Sequence, residues 1–241
     1  MNSDPHKTYL VIGAGSGIGY AITQKLLENG HRLFMVSRRA LPPEFSGRTT
    51  HFQMNVVEDS EWESTIRFPE VLDGLMYCPG TISLKSFHRL TKEDFLNDYK
   101  VNVMWAVRII QDSLPALKKS VQASVVLFST VAAKIGLRFH ASIAAARSAL
   151  EGLTRSLAAE YAGINIRFNA LAPSITDTPL AEPLLTSESK REKMAVLHPL
   201  RGIGNAGNIA VLTVFLLGPQ TRWITGQIFS YDGGLSTIKN S

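Results

Sequence analysis

An α/β fold of parallel strands and helices is what this sequence predicts, and three observations predict it. Tyr9-Leu10-Val11-Ile12 is a short apolar, β-branched run. It leads into the turn Gly13-Ala14-Gly15-Ser16-Gly17-Ile18-Gly19, and then into a helical stripe of apolar residues at Ile18, Ala21, Ile22, Leu26 and Leu27. Second, short apolar runs of this kind recur down the chain and alternate with stretches of helical period, the order a parallel sheet requires. Third, 241 residues suffice for a full core. With no repeat, low-complexity stretch or linker, that length fits one domain over residues 1–241.

The glycine turn is the segment around which the rest is organised. A tight strand-to-helix turn needs glycine for its backbone angles and for close approach of a phosphate, where a Cβ would collide. The phosphate then lies against free N–H groups at the positive end of the helix. The turn therefore predicts a dinucleotide site with contacts at Gly13, Gly15, Ser16, Gly17 and Ile18.

Composition bounds the partners. Hydrophobic residues make up 45% and charged ones 19%, which suits an ordinary water-soluble protein. The 25 basic residues are scattered among 20 acidic ones, so the net charge of +5 forms no arm for nucleic acid. A single cysteine, Cys78, excludes an intrachain disulfide and suits a reducing compartment. The polar first eight residues carry no signal-peptide core, and no apolar run approaches the roughly 18 residues of a membrane span. A cytoplasmic protein with no membrane or nucleic-acid partner and no metal site is the expectation.

The glycine spacing, Gly13, Gly17, Gly19, is G-x-x-x-G-x-G. It resembles the cofactor loop of the short-chain dehydrogenase/reductase family, and the likeness extends along almost the whole chain. The resemblance implies a Rossmann-type, doubly wound, seven-stranded, mostly parallel sheet with helices on both faces.

A second strand, Leu33-Phe34-Met35-Val36, ends in Ser37-Arg38-Arg39. An acidic side chain here would bind a ribose 2′-hydroxyl, whereas a small residue followed by arginine makes room for a 2′-phosphate and pairs with it. Ser37, Arg38 and Arg39 thus favour NADP(H), with NAD(H) the lesser alternative. Residues 51–56 form the third strand, and Asn55-Val56 stands where the family has an Asp-Val pair beside the adenine; His51 and Trp62 read as packing or surface residues. Strand four, residues 72–80, closes with Tyr77-Cys78-Pro79-Gly80, where the family shows Asn-Asn-Ala-Gly. Only Gly80 is kept. Cys78, Pro79 and Gly80 remain cofactor-side positions by resemblance, and Cys78 reads as a small apolar filler.

Residues 90–117 are helical in pattern, opened by Thr91 with Glu93 and Asp94 in the first turn and closed near Pro115. Val101-Asn102-Val103 resembles the family segment whose asparagine holds a water in a proton relay. Residues 125–128 are a buried strand that delivers Ser129 and Thr130 to the carboxyl edge, where ligands of open sheets bind. Residues 141–161 form an alanine-rich helix matching the family's fifth. Residues 164–171 are strand six. In the following segment Pro173, Ile175, Thr176 and Thr178 take the places that touch the nicotinamide carboxamide and pyrophosphate, with Ser174 replacing a glycine. Residues of about 178–204 correspond to the substrate lid, 209–217 to a helix and 224–229 to the last strand.

The family's catalytic set is a serine, a tyrosine 13 residues on and a lysine four further, the last two on one helical face. The helix match puts Arg147 at the lysine position, Ile143 at the tyrosine position and Thr130 at the serine position. No register slip restores the pair: tyrosine is missing between Tyr99 and Tyr161, and lysine between Lys134 and Lys190, which also excludes the longer spacing of enoyl reductases. Thr130 keeps a hydroxyl. Arg147 keeps the cation, but with an arginine pKa above about 12 it does not exchange protons near neutrality. Ile143 does no proton chemistry. His140, three residues before Ile143, is the imidazole that would share the face as a substitute acid, or else an ordinary surface histidine.

Two functions stay open on these grounds: an atypical oxidoreductase moving hydride between NADP(H) and a carbonyl or alcohol, and a cofactor-binding sensor without turnover. A cofactor-free structural partner would leave the glycine loop and Ser37-Arg38 without purpose. Ala144, Ala145, Ser148 and Gly152, small residues on the long helix, would allow the homodimer or homotetramer packing that family members show.

Overall fold

Short runs of apolar residues with no polar alternation must be covered on both faces, and that requirement sets the architecture. The computed structural model describes residues 6–41, 43–45, 47–55, 62 and 66–239, so the assignment of Val56 falls outside it. The strands among these residues are β1 (Thr8–Ile12), β2 (Arg32–Ser37), β3 (Thr49–Gln53), β4 (Gly74–Tyr77), β5 (Ala123–Phe128), β6 (Ile166–Pro173), β7 (Thr176–Asp177), β8 (Gly204–Asn205) and β9 (Ile228–Tyr231). Seven form one sheet in the order β3-β2-β1-β4-β5-β6-β9, every neighbouring pair parallel. The helices are α1 (Gly17–Glu28), α2 (Lys92–Tyr99), α3 (Trp105–Leu117), α4 (Ala141–Tyr161), α5 (Glu188–Val196) and α6 (Ala206–Leu217).

Successive strand residues point to opposite faces, so each apolar run feeds two cores. Leu10, Ile12, Leu75, Tyr77, Val125 and Leu127 pack on one side with Ile109 of α3 and Leu150 of α4. Tyr9, Val11, Met35, Met76 and Val126 pack on the other with Ile22 and Leu26 of α1 and Ile209 and Leu216 of α6. At about 1.5–3 kcal/mol for each large apolar side chain fully buried, these two layers supply most of the driving force.

The expected elements are present with shifted ends, and the shifts have local causes. Strand six starts at Ile166 rather than 164 because Asn165, at φ 60°, takes a left-handed turn just before it. The helix expected over 90–117 is two helices joined by a π-helical turn, Lys100–Met104, which contains Asn102. Its start is as the sequence indicates: Thr91 accepts from the Asp94 N–H, and the Asp94 carboxylate accepts from the Thr91 N–H. Its end is not, since Pro115 lies inside α3; the Lys118 N–H closes the last turn on the Leu114 carbonyl at 2.9 Å. Helix α4 spans the expected residues.

Candidate cofactor and active site

The sheet order reverses direction between β1 and β4, and the carboxyl ends of these strands converge on the glycine turn. Gly13 and Gly17 take φ of 81° and 55°, which favour glycine. The Gly13 and Ala14 N–H groups donate to the Val36 carbonyl at 2.8 and 3.2 Å and so fix the turn on β2. Gly19 stands so close that a Cβ there would lie 2.2 Å from the Gly13 carbonyl oxygen. Beyond the turn, α1 begins at Ser16 with no side-chain cap and no acidic residue in its first turn. An uncapped helix N-terminus free of carboxylates keeps its N–H groups and positive end available to an anion, so this cradle fits a dinucleotide pyrophosphate.

Residues far apart in the chain border that cradle. The Cβ and Cγ2 of Thr178 lie 3.3 Å from where a Gly17 Cβ would stand, and Pro79 and Cys78 flank the equivalent point on Gly13 at 3.3 and 3.4 Å. The segment leaving β6 is braced from within: the Thr176 hydroxyl donates to the Ser174 carbonyl at 3.0 Å, that of Thr178 to the Thr176 carbonyl at 3.3 Å, and Gly204 N–H to the Ile175 carbonyl at 2.9 Å. Pro173 ends β6, while Arg191 of α5 holds Asp177 bidentately at 2.8 and 3.1 Å and thereby keeps the Asp177 carboxyl below its usual range. Burial pushes the Cys78 thiol well up, more than nearby Arg147 pulls it down, so the sulfur stays protonated.

At the end of β2, Ser37 is buried while Arg38 and Arg39 are exposed. The Ser37 hydroxyl donates to the Arg39 carbonyl at 2.6 Å, so it must accept from His51 Nε2 at 2.8 Å, which fixes the imidazole tautomer. Burial lowers the His51 pKa, and the ring is neutral at pH 7. Asn55 follows β3, half-buried. Nothing in the sequence links Ser37 to His51, 14 residues away; only the β2–β3 register does.

A second cluster gathers where β4 and β5 end. Arg147 is buried on α4, donates to the Phe128 carbonyl, and lies against Gly80 so closely that a Cβ there would be 2.1 Å from its guanidinium. Asn102 Oδ1 borders the same point at 3.5 Å. Burial lowers the Arg147 pKa to about 10, beneath the sequence expectation yet still high enough to keep it cationic near neutrality. The Tyr77 phenol, its pKa pushed up by burial, donates to the Val101 carbonyl at 2.5 Å and steadies the π turn. Asp98, one turn before Asn102 and 1% exposed, belongs to this cluster and carries no local signal in the sequence.

Thr130, half-buried, follows β5 and accepts from the Ala132 N–H at 3.3 Å. The Ser129 hydroxyl is spent on Glu151 at 2.6 Å, leaving Thr130 as the hydroxyl of that edge. Ile143 lies one turn before Arg147 on α4, buried like it. His140 is half-buried at the start of α4, its Nδ1–H donating to the Arg138 carbonyl at 2.7 Å, and no hydrogen bond joins it to Thr130, Asn102 or Arg147. The structure thus brings together Gly13, Gly15, Gly17, Ser37, Cys78, Pro79 and Thr178 around one cradle and Gly80, Asn102 and Arg147 around another point, with His140 outside both.

A parallel, doubly wound sheet with a glycine turn at its switch point is a Rossmann-type dinucleotide fold. The family model described as Enoyl-(Acyl carrier protein) reductase matches residues 13–236. A tropinone reductase homolog of Arabidopsis thaliana is 33% identical over 243 residues, covering 95% of this chain and 90% of its own. Among solved structures, a short-chain dehydrogenase/reductase from Brucella melitensis superposes with a TM-score of 0.88 at 24% identity over 96% of this chain and 97% of its own. NADP-bound ElxO superposes with 0.85 at 23% identity over 97% of this chain and 100% of its own. The chain belongs to the short-chain dehydrogenase/reductase family of oxidoreductases. No described helix is long and apolar enough to cross a membrane.

Proposed function

We propose that this protein binds NADP(H) in preference to NAD(H) and moves hydride between it and a carbonyl or alcohol, slowly for want of a tyrosine. The observation that carries this reading is the uncapped, acid-free start of α1 behind the glycine turn, with exposed Arg38 at the end of the neighbouring strand. The fold is the one on which ElxO holds NADP. A dinucleotide bound there supplies the hydride. The chain's own part is to orient and to handle the proton: Arg147 holds the nicotinamide ribose, Thr130 positions the substrate oxygen, and residues of about 178–204 cover the substrate. Because Ile143 offers no proton, Thr130, His140 or solvent must supply it. That same isoleucine favours a second reading, a cofactor sensor without turnover.

Titration by protein fluorescence tests the cofactor. NADPH is expected to bind more tightly than NADH, and Arg38→Ala to cut that preference about tenfold or more, the value of a charge-assisted hydrogen bond. Equal affinities in the unmodified protein would remove the assignment.

Assembly into a homodimer or homotetramer belongs to the same proposal. Ala145, Ser148 and Gly152 form an exposed stripe of small residues on α4, and Leu96, Tyr99 and Met104 are exposed beside α2 and its π turn. Light scattering at micromolar concentration is expected to give the mass of two or four chains; a monomer mass would exclude it.

A further inference from the structure

Arg147 is a buried cation, and no carboxylate among the described residues lies within ion-pair distance of it. Its charge still needs compensation, because an isolated charge away from water is costly. Three groups act on it electrostatically: Tyr77, Asp98 and Cys78. Burial keeps the phenol and the thiol protonated. Asp98 is the carboxylate among them.

Hydrogen bonding holds that carboxylate in place and leaves half of it bare. Asn102 Nδ2 donates to the Asp98 backbone carbonyl at 2.7 Å and to Thr81 Oγ1 at 3.1 Å, while the Thr81 hydroxyl donates to Asp98 Oδ1 at 2.5 Å. A backbone carbonyl can only accept, so the Asn102 amide has one permitted orientation, and Thr81 has one hydrogen to give. The chain of donors therefore runs one way, from Asn102 through Thr81 to Asp98. At its two ends, Asp98 Oδ2 and Asn102 Oδ1 are buried acceptors with no donor among the described residues. Asn102 Oδ1 shares the space beside Gly80 with the Arg147 guanidinium. Buried acceptors of this kind, both on residues at most 1% exposed, mark a polar site and not a filled core.

The place of the cluster in the sheet gives it a role. The glycine turn and Arg38 lie over β1 and β2 and take the pyrophosphate and the 2′-phosphate side. Gly80, Phe128 and Arg147 lie past the switch point, at the ends of β4 and β5, and so on the nicotinamide side. The nicotinamide ring is cationic in NADP⁺ and neutral in NADPH. A fixed negative charge near it therefore acts on one redox form and not on the other.

We propose that Asp98 is a positioning residue, the counter-charge that seats Arg147, and that its negative charge tilts the cofactor site toward the oxidised dinucleotide. This rests on the cofactor reading above. It adds to that reading a residue with no part in the glycine turn or the 2′-phosphate contact.

Calorimetric titration of the protein with NADP⁺ and with NADPH tests it, since it needs no turnover. Asp98→Asn keeps the shape and removes the charge. It is expected to weaken NADP⁺ relative to NADPH by about tenfold, the order of a single charge acting at an effective dielectric of about 20. Asp98→Glu is expected to restore most of the original ratio. A purely structural role would weaken both nucleotides alike, and an unchanged ratio in folded Asp98→Asn overturns the proposal. If Asp98→Asn does not fold, Asp98→Asn with Arg147→Met removes both charges and is expected to fold. Failure of that double variant while Arg147→Met alone folds also overturns it. Absence of binding by either nucleotide to the unmodified protein overturns the cofactor reading itself, and the proposal with it.

Discussion

Replacing Ile143 by tyrosine and Arg147 by lysine in one protein is expected to raise NADPH-dependent carbonyl reduction by about 10²- to 10⁴-fold, the usual contribution of a positioned general acid. Ile143 and Arg147 sit one turn apart on α4, so the new phenol and ammonium would share the face that now holds isoleucine and guanidinium. Lysine also withdraws from the Phe128 carbonyl, to which Arg147 donates, and from the crowded space against Gly80. The phenol alone should gain less, because the Arg147 guanidinium is already spent on the Phe128 carbonyl and pressed against Gly80. The unmodified protein is expected to run well below the roughly 1 to 10³ s⁻¹ of ordinary enzymes. An NADPH oxidation assay over a carbonyl panel, with His140→Ala in parallel, separates the cases. With its Nδ1–H tied to Arg138, His140 lowers the rate on substitution only if the imidazole is the substitute acid. An ordinary turnover number without either substitution would place the proton source elsewhere in the site.

Gly19→Ala is expected to cost about 1–3 kcal/mol of stability, the range for overpacking a close-packed site, and to weaken NADPH binding along with it. The obstacle is backbone: the new methyl would meet the Gly13 carbonyl carbon and oxygen, at 2.9 and 2.2 Å, and neither can swing aside. The turn would have to open, and opening it moves the N–H groups at the start of α1. Urea unfolding with and without NADPH reads both effects. A variant with unchanged midpoint and affinity would show that the strand, turn and helix are less tightly locked than these distances state.

The glycine turn, the long helix α4 and the seven strands were legible because their signals are local: spacing of glycines, helical period, short apolar runs. Helix α5 was not, since Glu188–Val196 is largely charged and buries none of its residues, leaving no apolar stripe to read. The π turn at Asn102 was hidden for a different reason. A helix that carries one extra residue per turn keeps its composition, and what holds it, the Tyr77 phenol on the Val101 carbonyl, comes from 24 residues upstream. His51 on Ser37 and Asp98 beside Thr81 are likewise products of strand register and packing. Polar clusters assembled across the sheet edge leave no pattern in the chain that builds them.

The interlock of Gly80 with Arg147 also bears on the order in which these positions can change. A side chain at 80 would occupy the guanidinium's space while arginine remains at 147, yet the same change meets little once residue 147 is shorter. The two substitutions are therefore expected to be strongly non-additive, and only one sequence of steps between such proteins avoids a crowded intermediate. Position 80 is in this sense coupled to a residue 67 places away, and what it accepts depends on which side chain stands at 147.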